Sequence, residues 1–240
     1  MREKPILFNT PMVRALLDGR KKATRRLIKP QPNPEWEFLG WCTEGKEKGY
    51  AGFGKEPISI LFAKPKYIIG DRPWVQETWK IEAWDHDNKK MLVVYRADGQ
   101  KTWVEFLDDR YAKFFKFISK NGWQSPYFMP REASRIFLEV TDVRVEKVQD
   151  ITEEDALREG VPEEFPMDKI YCDHCNGTGL WGTNNRETLG YMDIDCPYCN
   201  TSRKRFANLW NSTISKKDLP LYGWGANPWV FAYTFKGATP

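Results

Sequence analysis

Two cysteine pairs constrain what this chain can fold into more tightly than any other feature of its sequence. Cys172-Asp173-His174-Cys175 and Cys196-Pro197-Tyr198-Cys199 leave twenty residues between the inner cysteines. Each pair is spaced to present two sulfurs from one tight turn, and two such turns brought together make a four-thiolate metal site of the kind zinc fills. The same pairs can form redox disulfides, but in a chain without a signal-like amino terminus this spacing points to metal ligands. Four thiolates close the coordination sphere, so one structural Zn2+ stapling a loop at about 166–202 is expected, with no chemistry at the metal. His174, between two ligands, reads as a surface histidine, His86 as a turn residue, and Cys42 has no partner in either pair.

A second concentration lies near the amino terminus. The stretch Gly19-Arg20-Lys21-Lys22-Ala23-Thr24-Arg25-Arg26 follows a short apolar segment in which Met12, Val13, Leu16 and Leu17 share a helical face. Thr10 as N-cap and Pro11 at the first helical position predict a helix over Pro11–Asp18, with Gly19 taking the left-handed position past its end. Residues 1–30 hold nine lysines and arginines against Glu3 and Asp18, a local excess of seven on a chain whose net charge is +4, so the remainder is slightly acidic. A charge block of this kind is either a solvated face or an anion site. Confinement of the charge to one place favours an anion site for a polyanion such as nucleic acid.

The chain has 240 residues, 41% of them hydrophobic and 15% aromatic, enough for a real core. No apolar run approaches the length of a membrane span, so a cytoplasmic, membrane-free protein is expected. Residues 30–66 are rich in proline and glycine with interspersed aromatics and read as a packed insertion with short strands. Residues 67–79 read as strand, turn, strand, and 92–96 as a strand ending at Asp98-Gly99. The spacing of Phe106, Leu107, Tyr111, Phe114, Phe115 and Ile118 predicts a helix over Val104–Ile118, within an insertion at 100–126. Residues 135–149 carry the strongest strand signal. Thr152 then caps a short acidic helix that ends at Gly160 and carries Glu159. A later helix is expected over Lys204–Ile214, and Arg203, Lys204 and Arg205 ahead of it either extend the basic surface or cap a turn. A closing strand is expected over 229–235. Many short strands with a few short helices indicate an α+β chain built on a small β-barrel.

The succession Gly19-Arg20-Lys21-x-x-Thr24-x-Arg26, Gly70-Asp71, Ile151-Thr152-Glu153, Glu159 and Trp229-Val230-x-x-Tyr233-x-Phe235 resembles the ASCH family. Met129-Pro130-Arg131-Glu132-Ala133 and Asn227-Pro228-Trp229-Val230 are similar to the longer ASCH proteins of bacteriophages and prophages, and Cys175-Asn176-Gly177-Thr178-Gly179 resembles repeats of the DnaJ zinc-binding region. The resemblance implies a PUA-like barrel as a single domain over 1–240, with the insertions at 30–66, 100–126 and 166–202. A phage-encoded copy would work in the host cytoplasm.

For function, the resemblance implies recognition of RNA or a modified nucleoside in a cleft, and in some members hydrolysis. A small ASCH enzyme removes the acetyl group of N4-acetylcytidine with a lysine, a threonine and a glutamate, whose motif positions here are Lys21, Thr24 and Glu159, with Lys22 as a second candidate for the base. Physically, a lysine crowded by Arg20, Lys22, Arg25 and Arg26 is pushed toward the neutral amine, which can activate the Thr24 hydroxyl. Glu159 would pass the proton to the leaving amine, and the arginines would stabilise the oxyanion. As a binding module, the same cleft would hold a base on Lys21, Thr24, Arg26 and Glu159 and phosphates on Arg20, Lys22 and Arg25. A ribonuclease using the lysine and arginines is a third expectation. Each of these residues also has an ordinary reading as a strand threonine or a solvated charge.

Overall fold

A computed structural model describes residues 2–55, 59–106, 110–117, 122–164, 167–184 and 191–238. In chain order the elements are β1 (Pro5–Leu7), α1 (Thr10–Leu17), β2 (Ala23–Leu27), β3 (Glu37–Trp41), β4 (Ala51–Lys55), β5 (Ser59–Ala63), β6 (Trp74–Gln76), β7 (Trp79–Asp85), β8 (Lys90–Tyr95) and β9 (Lys101–Glu105). They continue as α2 (Arg110–Phe117), β10 (Phe137–Lys147), α3 (Glu153–Arg158), β11 (Leu180–Asn184), β12 (Tyr191–Asp195), α4 (Ser202–Ser212), α5 (Leu219–Tyr222) and β13 (Trp229–Ala238). The architecture is mixed α+β and mostly sheet. Among the described residues none of the four sheets closes on itself, and no helix is long and apolar enough to cross a membrane.

The chain packs as two units, one of residues 1–19, 69–141 and 235–240, the other of 20–68 and 142–234. In the first, β1 runs parallel to β6, and β6 pairs antiparallel with the start of β10. Beside them β7, β8 and β9 form an antiparallel sheet whose inner face, with Trp79, Met91, Val93, Tyr95 and Val104, makes a core with Phe106 and Met129. Met91, Val93 and Tyr95, at every second position of β8, supply that face. Helix α1 is capped one residue earlier than expected: Asn9 Oδ1 accepts from the Met12 N–H at 3.0 Å, while Gly19 holds φ +71° past the end as predicted.

Two expectations in this unit are corrected. The predicted helix over Val104–Ile118 is strand β9 followed by the shorter α2; Val104 is a buried strand residue, and Leu107 and Ile118 lie outside the described residues. The aromatic spacing was helical only from Arg110 onward. Secondly, Ile69 forms no strand before Gly70. It sits 65% exposed in a turn, and the strands of this region are β6 and β7.

The second unit holds β2 against β13, antiparallel, with Arg25 opposite Ala232 and Thr24 opposite Tyr233. The proline- and glycine-rich stretch forms the sheet β3-β4-β5 and lies on the body of the unit as expected: Phe53 packs on Phe38 and edge-on to Trp229, and Trp41 stacks on Phe231. Helix α3 follows its predicted logic closely. Thr152 Oγ1 accepts from the Asp155 N–H at 3.0 Å, three acids occupy the first turn, Glu159 is the C-cap, and Gly160 turns the chain at φ +90°.

Candidate functional site

The basic bend and the acidic helix meet within the second unit. Lys22 N donates to the Arg158 carbonyl at 2.7 Å, and Arg20 Nη1 to the Gly160 carbonyl at 2.9 Å, so the segment ahead of β2 is laced to the end of α3. This brings Lys21 and Glu159, 138 residues apart, into one buried pocket of charge. Lys21 Nζ donates to Glu159 Oε2 at 2.8 Å, to the Glu159 carbonyl at 2.7 Å and to the Ala23 carbonyl at 2.8 Å. Three acceptors match the three N–H bonds of an ammonium. Burial pulls the Lys21 pKa down, Glu159 opposes that, and Arg26 and Arg25 add smaller downward pushes. The largest cause is therefore burial, where the sequence pointed to crowding by like charges. The three acceptors around Nζ suit the ammonium and oppose the effect of burial.

Arg25 is the hub of the rest. Its Nε donates to Glu146 Oε1 at 2.6 Å, Nη1 to Glu159 Oε1 at 3.2 Å and Nη2 to Asp155 Oδ2 at 3.2 Å, and its guanidinium carbon lies 5.8 Å from the centre of the Phe206 ring. Burial works against this charge, but Glu159, Glu146 and Asp155 outweigh it and raise the Arg25 pKa. Arg144 closes the outer edge, 3.4 Å from Asp155 and 3.8 Å from Glu146. Burial raises the Glu146 pKa against the pull of Arg25 and Arg144. Each carboxylate thus answers a cation of the same chain.

The predicted site residues therefore separate into groups. Lys21, Arg25 and Glu159 converge in the ion cluster; Thr24 is buried one register position away on β2. Arg20 and Lys22 are exposed. Arg26 is half-buried, its pKa lowered by burial against the opposing pull of Tyr67, Glu159 and Tyr233, and it lines a cavity of about 370 Å³ together with Arg25, Lys29, Trp210, Asp218 and Tyr222. Lys29 Nζ stands 5.3 Å from the centre of the Tyr222 ring. Asp218 accepts from the Ser215 hydroxyl at 2.6 Å.

The four cysteines form the second centre. All are buried, and their sulfurs lie within 4.8 Å of one another. Cys172 Sγ to Cys196 Sγ is 3.7 Å and Cys175 Sγ to Cys199 Sγ is 3.6 Å. A disulfide needs about 2.05 Å, whereas a tetrahedral ion with metal–sulfur bonds of about 2.3 Å places sulfurs about 3.8 Å apart. The arrangement can bind one metal ion. Burial pushes the Cys175 thiol up, but the Gly179 N–H at 3.4 Å and the neighbouring sulfurs bring it down to about 7, while Cys172 and Cys199 are pushed up by burial. The turn depends on Gly177 at φ +81°, where a Cβ would run into the Met167 carbonyl. Beyond it β11 and β12 form an antiparallel hairpin. His174 lies outside the sulfur cluster, stacked on Tyr198 with centroids 3.9 Å apart.

Of Arg203, Lys204 and Arg205, the first two are exposed and the third is withdrawn from the basic surface. Arg205 is buried and donates from Nε to the Cys199 carbonyl at 2.8 Å and from Nη1 to the Pro162 and Glu163 carbonyls at 2.6 and 2.9 Å. Lys204 holds the Pro197 carbonyl, and Arg203 the Gln149 carbonyl. Sequence reasoning missed Glu146 and the buried role of Arg205. Arg205 had a signal: it lies four residues before Leu209, on the apolar stripe of α4, where a cation needs internal acceptors. Comparison with protein-family models, curated proteins and solved structures finds no match for the chain.

Proposed function

We propose that the chain is a PUA-like module of the ASCH type that recognises RNA or a modified nucleoside, held in shape by one structural zinc ion on Cys172, Cys175, Cys196 and Cys199. The observation that carries the reading is the cavity beside β2, where cationic Arg26 and Lys29 share a wall with aromatic Trp210 and Tyr222. Cations take phosphate, rings take a base face, and the Asp218 carboxylate can accept from an exocyclic amine. In this reading Lys21, Arg25 and Glu159 form the floor that positions β2, because their charges are already satisfied internally. Arg20 and Lys22 remain on the surface to steer a polyanion.

The second reading, removal of an acyl group from N4-acetylcytidine, is favoured by the 2.8 Å contact between Lys21 and Glu159. It requires the lysine to give up a proton and its carbonyl acceptors before it can activate Thr24. A single set of measurements separates the two. Fluorescence anisotropy with a labelled single-stranded RNA should give binding that weakens with salt, by about 0.7 in log–log slope per neutralised phosphate, and that falls at least tenfold in the Arg26→Ala, Lys29→Ala double variant. Binding unaffected by that pair overturns the binding reading. Turnover of N4-acetylcytidine that disappears in Lys21→Ala would establish the hydrolase instead.

A further inference from the structure

The cavity of about 370 Å³ is one of two that share a wall. A second, of about 400 Å³, is lined by Gln31, Pro32, Lys147, Leu221, Trp229 and, again, Tyr222. Tyr222 ends α5, and its carbonyl accepts from Trp210 Nε1 at 2.8 Å, so the chain carrying the dividing ring is pinned. The chemistry repeats on either side of it. In the first cavity Lys29 Nζ stands over the Tyr222 ring at 5.3 Å. In the second, Lys147 Nζ stands over the Trp229 ring at 4.5 Å. Trp229 also carries a buried indole N–H with no hydrogen-bond partner among the described residues, a donor that protein interiors rarely leave unanswered.

A ring with a cation over its face, repeated across a single aromatic partition, matches the alternation of base and phosphate along a nucleic acid strand. We propose that the two cavities flanking Tyr222 take successive nucleotides of one single strand, so that the preferred ligand is a dinucleotide step or longer and not a free nucleoside. Arg26 and Lys29 serve the first nucleotide, Lys147 the second, and Tyr222 stands between the two bases. A proline-rich peptide would also find rings in the second cavity, but it offers nothing for three cations to hold. The proposal rests on the binding reading above and extends it to substrate length.

Isothermal titration with uridine 5′-monophosphate and with the dinucleotide pUpU tests it. The dinucleotide should bind at least about fivefold more tightly, the gain expected from one added stacked base. Lys147→Gln should erase that gain and leave the mononucleotide affinity unchanged, whereas Lys29→Gln should weaken both ligands. Equal affinities for the two ligands, or a ratio that survives Lys147→Gln, would overturn the two-cavity proposal while leaving the binding reading intact. Failure of both ligands to bind would remove the binding reading itself. Binding of a polyproline decapeptide in place of pUpU would make the second cavity a peptide groove and also overturn the proposal.

Discussion

Replacing Glu159 by glutamine isolates the charge at the centre of the ion cluster. The amide keeps the shape and one acceptor but removes the negative charge beside the Lys21 ammonium, whose side chain is 2% exposed, and beside the Arg25 guanidinium. Removing one member of a buried pair costs about 3–5 kcal/mol. Arg25 keeps Glu146 and Asp155 as partners, so Lys21 carries most of the loss, and a ceiling on its share follows from proton chemistry: Lys21 can discard its charge, and neutralising a lysine of unfolded pKa about 10.4 at pH 7 costs about 4.6 kcal/mol at 1.36 kcal/mol per unit. The expected loss at pH 7 is therefore about 3–4.6 kcal/mol. At pH 9 the same ceiling is only about 1.9 kcal/mol, so the penalty must shrink as pH rises. With a urea slope of about 3 kcal/mol per molar, the unfolding midpoint should fall by about 1–1.5 M at pH 7 and by no more than about 0.6 M at pH 9. The wild type shares the sign. Because burial lowers the Lys21 pKa from 10.5, the unfolded chain holds a proton the folded chain has lost between the lowered value and 10.5, and this group adds stability as pH climbs through that window. Lys21→Met with Glu159→Leu should recover most of the loss, since an apolar pair carries no desolvation cost. A midpoint shift below about 0.3 M at pH 7, or one equally large at pH 9, would refute the view that Glu159 stabilises a buried cation.

Purified protein should carry one metal ion per chain, read by elemental analysis, and a chelator should lower its melting temperature; Cys196→Ser should abolish the metal and leave free thiols reactive to a chromogenic disulfide. Arg205→Lys keeps the charge but cannot span the carbonyls of Cys199, Pro162 and Glu163, so it should cost about 2–3 kcal/mol in urea unfolding, where a surface arginine would cost almost nothing.

The parts of this molecule that were readable from sequence are those decided within a few residues. The cap at Thr152, the turns at Gly19, Gly99 and Gly160, and the long strand β10 depend on local hydrogen bonding and β-branched alternation, and each forms where the residues ask for it. The helix predicted from Val104 failed because apolar spacing does not mark where one element stops and another begins: Val104 and Phe106 belong to the core of the β7-β8-β9 sheet, and Arg110 opens α2. The site was legible in one half only. Lys21 and Glu159 do meet, as a buried ion pair and not as two lining residues of an open cleft, but the count of cations near the amino terminus suggested an external anion, because the acids that answer Arg25 lie 121, 130 and 134 residues further on. A local charge excess says where cations are, and not whether the fold already supplies their partners.

That distinction also explains how the two centres are joined. Helix α4 begins just after Cys199 and carries Arg205, which holds the Cys199 carbonyl and the chain at Pro162 and Glu163, close behind Glu159. The next residue, Phe206, lies under the Arg25 guanidinium. Asn208, on the same helix, donates to the carbonyl of Tyr171, immediately ahead of Cys172, at 2.7 Å. One helix therefore touches both cysteine turns, the chain leaving α3 and the hub of the ion cluster. Its far end contributes Trp210, which pins Tyr222 and lines the cavity beside Arg26. A metal bound there would fix the start of α4 and through it restrain the Tyr222 ring, so under the proposed function a closed four-thiolate site would take part in recognition without any chemistry at the ion.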